Sequence, residues 1–187
     1  MVDLLTSIEP FISRPFDSIH LAEISRIIHL PHPTVRLQLM KLEKFGVLRK
    51  KSKGRLSLYS LNFENPILMD YILIAEKSLL VKRLRTDILL KEIVSFFYSQ
   101  RSYNSKCVIF GSFVQNTENY SDIDVLFCGK IHQEALNSFS ERYNFNIHLI
   151  QVKNLKMVSF ALKKEILKKH LLLFGSEEVL RWMYEKH

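Results

Sequence analysis

Only two cysteines, Cys107 and Cys128, occur in 187 residues. Two cannot build the disulfide framework of a small secreted domain. Both sit inside apolar, strand-like runs, so they read as reduced, buried thiols of a cytoplasmic protein. No uninterrupted apolar run approaches the roughly 20 residues that a membrane-spanning helix needs, so no membrane segment is expected. Acidic Asp3 and Glu9 interrupt any apolar stretch near the first residue, and no secretory signal is expected either. Low-complexity segments and internal repeats are lacking. Acid is scarce relative to base: 19 Asp and Glu stand against 27 Lys and Arg, a formal net charge of +8. That balance favours an anionic partner such as nucleic acid, nucleotide or an acidic protein. What is present is an ordinary globular composition, 47% hydrophobic and 25% charged, with ample material for a core. The length fits one domain or two small ones.

The first third carries helical punctuation. "DLLTSIEPFI" is a short amphipathic helix. Leu21, Ile24, Ile27 and Ile28 then recur at helical spacing. Pro31 and Pro33 stop that helix and start the next, in which Val35, Leu39, Leu42 and one of Leu37 or Met40 face inward. Gly46 closes it as a C-cap. Two short runs follow, "VLRKK" and "RLSLYSL", joined by a Gly-containing turn as a hairpin. In the second, Leu56, Leu58 and Leu61 are expected on one side and Ser57 and Tyr59 on the other. From Arg36 to Arg55 the chain has eight Lys or Arg (Arg36, Lys41, Lys44, Arg49, Lys50, Lys51, Lys53, Arg55) against one acid, Glu43.

Helix, helix, tight turn, helix and basic hairpin over about residues 3–64 resemble a winged helix-turn-helix DNA-binding domain. "LPHPTVRLQLMKLEKFGVL" is similar to the turn and recognition helix of many archaeal and bacterial regulators. The resemblance implies that His32, Thr34, Arg36 and Gln38 reach base edges. Lys41, Lys50, Lys51, Lys53 and Arg55 would meet phosphates, with an affinity that falls as salt rises. Winged helices also serve as protein-docking modules, and that alternative stays open.

After Pro66, "ILMDYILIAEKSLLVKRLRTDILLKEIVSFFYS" is apolar on a wide face, through Leu68, Tyr71, Ile72, Ala75, Leu79, Leu89, Ile93, Phe96 and Phe97. Thr86-Asp87 offers a cap for a second helix, so one helix ends near Arg85 and the next near Ser99. The first would link domains or pair two subunits, since winged-helix regulators usually meet twofold sites as homodimers.

The last part alternates strands and helices: "KCVIF", "DVLF", the helix "HQEALNSFSERY", "FNIHLIQV", a basic helix from about Ser159 to Lys169, "LLLF", and a helix opened by Ser176. That order predicts a mixed sheet with helices packed on it. The first of these strands runs straight into Gly111-Ser112, and eleven residues beyond Gly111 comes Asp122-x-Asp124. Residues i and i+2 of a strand share a face, so the two carboxylates point together, their Cα atoms about 7 Å apart. Two oxygen ligands on one face suit magnesium, which keeps coordination sites for water and phosphate. Gly111 permits a tight turn, and Ser112 offers a hydroxyl and amides to phosphate.

"GSF…SDIDVLF" resembles the signature of the polymerase-beta-like nucleotidyltransferase superfamily, near its small archaeal and bacterial members, the minimal nucleotidyltransferases, over about residues 86–150. The resemblance implies that Gly111 and Ser112 bind nucleotide phosphates and that Asp122 and Asp124 hold magnesium. Two departures stand out. The family commonly has a second glycine after a basic residue, where this chain has Asn116 after Gln115. The family also has a third carboxylate on the next strand, where this chain has Asn146 and His148. Imidazole is a poor magnesium ligand but a competent base near neutral pH, so His148 is either the proton acceptor or an ordinary strand residue.

These readings define an α+β chain in three parts: a winged helix-turn-helix over 1–65, a helical linker over 66–100, and a nucleotidyltransferase-like domain over 101–187. Two functions fit. One is a magnesium-dependent enzyme transferring a nucleoside monophosphate from a nucleoside triphosphate to a protein, nucleic-acid or small-molecule acceptor. The other is a DNA-binding regulator, or an antitoxin paired with a helical toxin, whose nucleotidyltransferase-like domain is non-catalytic.

Overall fold

Caps and breakers place the first elements where the sequence marks them. The structure, a computed structural model, describes residues 4–54, 56–114 and 122–185, and the Lys53 side chain lies outside that description. The chain forms two compact units, Met1–Glu76 and Lys77–His187. In the first, a 3-10 turn (Leu4–Ile8) leads into α1 (Glu9–Ile12), β1 (Ile19–His20), α2 (Leu21–Ile27), α3 (His32–Lys44), β2 (Leu48–Lys53) and β3 (Leu56–Leu61). His20 caps α2: its Nδ1 accepts the Ala22 amide at 3.2 Å. Pro31 is the N-cap of α3, and Pro33 sits in its first turn, where a missing N–H costs nothing. At the other end Val47 N–H donates to the Leu42 carbonyl and Gly46 N–H to Glu43, both at 2.9 Å. This Schellman closure needs the left-handed φ of +69° that Gly46 adopts.

The three strands make an antiparallel sheet in the order β1-β3-β2. With α2 and α3 they form a winged helix-turn-helix, buried around Ile24, Val35, Leu39, Leu42, Val47, Tyr59 and Leu61. Three expectations need correction. Leu37 and Met40 do not face the core: both are exposed. Gln38 takes a core position instead, where its Oε1 accepts the Ser7 hydroxyl. On β3 the phase is reversed, with Tyr59 buried and Leu56 exposed. The partner strand β1 sets that phase, because Ile19 pairs with Tyr59 and both are buried.

The helix α4 (Leu68–Thr86) ends where Asp87 caps α5 (Ile88–Ser99), its Oδ1 accepting the Leu90 amide at 2.8 Å. Such a cap contributes about 1 kcal/mol. The second unit continues with β4 (Lys106–Phe110), β5 (Asp122–Cys128), α6 (Gln133–Tyr143), β6 (Asn146–Val152), α7 (Phe160–Lys168), β7 (His170–Phe174) and α8 (Ser176–Tyr184). The sheet order is β6-β5-β4-β7, with β5 and β6 parallel and the other pairs antiparallel.

One face of this sheet presents Cys107, Ile109, Ile123, Val125, Phe127, Leu171 and Leu173 to Leu90, Ile93 and Phe97 of α5 and Leu136 of α6. Val108, Leu126 and Leu172 point the other way and are buried too, which explains why β4, β5 and β7 read as unbroken apolar runs. On the edge strand β7, side chains donate to backbone carbonyls. Lys77 Nζ donates to Leu172 and Leu173 at 2.9 and 2.8 Å, and the Tyr98 hydroxyl to Leu173 at 2.8 Å, which blocks edge pairing. Both cysteines are buried and unbridged, and burial pushes the Cys107 thiol well above its usual value. Among the described residues no helix is long and apolar enough to cross a membrane.

Candidate functional site

Strand register builds the site. Ile123 belongs to the α5 face of the sheet, so Asp122 and Asp124, one residue to either side, project from the opposite face. The parallel ladder sets Asp122 against Asn146 and Asp124 against His148. Both pairs bond: Asn146 Nδ2 donates to Asp122 Oδ1 at 3.1 Å, and His148 Nδ1 lies 3.0 Å from Asp124 Oδ1. β6 thus supplies two side chains that hold the aspartates. With Nδ1–H donated to Asp124, the His148 lone pair is on Nε2, the tautomer that an Asp-oriented base adopts. The imidazole is 66% exposed, so a solvent-borne hydroxyl can reach it.

Across the ladder on the other side, Phe110 pairs with Asp124, which brings Gly111 beneath the Asp124 carboxylate. Gly111 has φ of +79°, and a Cβ there would overlap Asp124 Oδ2 and stand 3.3 Å from its Cγ. Glycine is therefore required twice, for the backbone and for the carboxylate above it. Gly111→Ala is expected to cost about 1–2 kcal/mol of stability and to displace Asp124. Chemical denaturation together with nucleotide titration checks both effects; unchanged nucleotide affinity would contradict the second.

Ser112 opens a short 3-10 turn, Ser112–Val114, and is exposed. The turn is tied down by Arg83 of α4, a residue that the sequence reading passed over. Its Nη1 donates to the Val114 carbonyl at 2.7 Å, its Nη2 reaches Asp87 at 3.5 Å, and its guanidinium lies over the Phe113 ring at 5.8 Å. An apolar neighbourhood and a fork of donors demand arginine rather than lysine. Arg83→Ala is expected to lose about 1.5–3 kcal/mol, the usual worth of a charge-assisted hydrogen bond, with a loosened Gly111–Val114 turn. A denaturation series settles this, with no change as the contradicting result.

Part of this arrangement lines a cavity of about 340 Å³, walled by Phe110, Ile150 and Leu162. Gly111, Ser112, Asp124 and His148 form its polar side, and α7 adds Glu165, Lys168 and Lys169. The last three were missed, because "LKKEILKKH" reads as the solvated face of an amphipathic helix. Gln115 and Asn116 lie outside the described residues.

Among the described residues no group of three or more His, Cys, Asp or Glu side chains is placed to hold a metal. Two carboxylates on one face are nonetheless the donor set that suits magnesium, which is typically bound by one or two carboxylates together with substrate phosphates. Asp122 and Asp124 fit that ion; a thiolate or imidazole cage for zinc is not formed among the described residues.

On the winged helix, His32, Arg36, Lys41, Lys50 and Lys51 are exposed and Thr34 is half-buried. Gln38 is withdrawn from any partner by its burial and its bond to Ser7, which corrects its expected place at a base edge. Arg49 forms an ion pair with Glu64, so its charge is partly answered within the chain. Arg55 and the Lys53 side chain lie outside the described residues.

Residues 88–174 match the family described as Nucleotidyltransferase domain. The match runs from α5 through β7 and contains Gly111, Ser112, Asp122, Asp124, Asn146 and His148, while Arg83 and Asp87 lie just before it. It supports a nucleotidyltransferase domain in the second unit, and with it a nucleotide substrate. No curated protein matches the chain. The solved structure of TrmBL2, described as an archaeal chromatin protein with a novel mode of DNA binding, is similar over 86% of this chain and 68% of its own, at 14% identity and a TM-score of 0.30. An overlap that low carries no argument about this chain.

Proposed function

We propose that this chain is a magnesium-dependent nucleotidyltransferase that moves a nucleoside monophosphate from a nucleoside triphosphate to an acceptor hydroxyl, and that its winged helix binds DNA. The observation that carries the first part is the shared face of Asp122 and Asp124 beside Gly111, inside the matched segment 88–174. Gly111 and Ser112 hold the phosphates close to backbone amides. Asp122 and Asp124 would hold magnesium, which when bound neutralises phosphate charge and fixes the phosphates against the acceptor. Asn146 and His148 orient the two carboxylates, and His148 Nε2 takes the proton of the acceptor hydroxyl. The apolar wall of Phe110, Ile150 and Leu162 limits water around the reacting groups.

The test is transfer of label. With magnesium present, label from the α-phosphate of a nucleoside triphosphate is expected to become acid-stable on an acceptor, while label from the γ-phosphate is expected in pyrophosphate. Transfer of γ-label would identify phosphoryl transfer and overturn the proposal.

A second reading is favoured by β6, where Asn146 and His148 stand opposite the aspartates in place of an acid. In it the site binds nucleotide without turnover and the winged helix regulates transcription. Magnesium-dependent binding with no transfer to protein, nucleic acid or small-molecule hydroxyls would select this reading.

A further inference from the structure

We infer that Lys168 and Lys169, at the C-terminal end of α7, hold the phosphate tail of the nucleotide in this site. The inference rests on the nucleotide-binding reading above and adds to it the source of the cations. The need for cations follows from the charges in view. A triphosphate entering the cavity meets Asp124 on β5 and Glu165 on α7, with Asp122 two residues before Asp124 on the same strand. One divalent ion offsets only part of that repulsion, and β6 contributes only the imidazole of His148. The two lysines line the same cavity as Gly111, Ser112, Asp124 and His148.

Their own bonding supports this. Lys169 ends the helix with its backbone N–H on the Ile166 carbonyl at 3.2 Å. Neither ammonium group makes a hydrogen bond or ion pair among the described residues, although Glu165 stands three residues before Lys168 in the same helix, a spacing at which side chains pair. An ammonium is a point charge with three donors, suited to phosphate oxygens in any orientation. Lysines near a helix C-terminus also interact favourably with the helix dipole. That bland role would affect stability and leave nucleotide binding untouched, so the two roles are separable.

The test is calorimetric titration of the whole chain with magnesium and ATP, GTP, CTP or UTP, and with the corresponding monophosphates. The Lys168→Ala/Lys169→Ala variant is expected to bind the preferred triphosphate about 10- to 100-fold more weakly, with monophosphate affinity held within about twofold. Lys168→Arg/Lys169→Arg, which keeps the charge and the helix, is expected to restore most of the loss. Lys164→Ala removes an equal charge from α7 outside the cavity, from above the Phe160 ring, and is expected to leave binding unchanged. Equal triphosphate affinity in the double alanine variant, or an equal loss for mono- and triphosphates, overturns the inference while the nucleotide site stands. A chain with native lysines that binds none of the four triphosphates overturns the parent reading and the inference together.

Discussion

The Asp122→Asn/Asp124→Asn double variant is expected to lose magnesium-dependent nucleotide binding by at least about 100-fold, since groups one shell beyond a metal ligand already cost up to about 100-fold. Asparagine keeps the size and shape of aspartate, so strand β5 and its pairing with β4 and β6 remain. It removes both negative charges that attract a divalent ion. The amide oxygen of an asparagine at 122 can still accept from Asn146, so the loss reports charge rather than a broken ladder. Metal-independent affinity is expected to change little or to rise, because two carboxylates no longer repel the phosphates. Calorimetry with and without magnesium separates the two terms. A double variant that binds and transfers as well as the unaltered chain would remove Asp122 and Asp124 from the site.

DNA binding by the winged helix is expected to depend steeply on salt. The described, exposed cations Lys41, Lys50 and Lys51 would make three phosphate contacts. At about −0.9 per contact, the slope of log affinity against log salt is about −2.7, a loss of roughly 40-fold between about 50 and 200 mM. Alanine at any one of the three is expected to reduce the slope by about 0.9, read by fluorescence anisotropy on a labelled duplex. Gln38→Ala is the counter-test. Because the side chain is buried against Ser7, the variant is expected to lose stability and keep its sequence preference. A salt-insensitive interaction unmoved by Arg36→Ala would leave the unit as a protein-docking module.

Features fixed by neighbouring residues were legible in the sequence. Asp87 caps α5 and Gly46 closes α3 because each acts within four residues of itself. The shared face of Asp122 and Asp124 follows from the two-residue period of a strand. Features fixed by distant partners were not legible. Gln38 is a core residue only because Ser7, 31 residues away, supplies its donor. The alternation of β3 was visible, but its phase depends on β1, a strand of two residues with no run of its own. Lys168 and Lys169 carry the same limit: a helical pattern places them on a polar face, and only the fold reveals that a cavity with Asp124 lies beneath it. The resemblance of "GSF…SDIDVLF" to nucleotidyltransferases pointed to the segment that matches that family. It could not say how Asn146 and His148 would be used, which rests on the parallel register of β5 and β6.

The most direct measurement is calorimetric titration of the unaltered chain with ATP, GTP, CTP and UTP, each with and without magnesium. At least one is expected to bind, and magnesium is expected to strengthen it. Failure of all four to bind in the presence of magnesium would contradict a nucleotide site in the second unit.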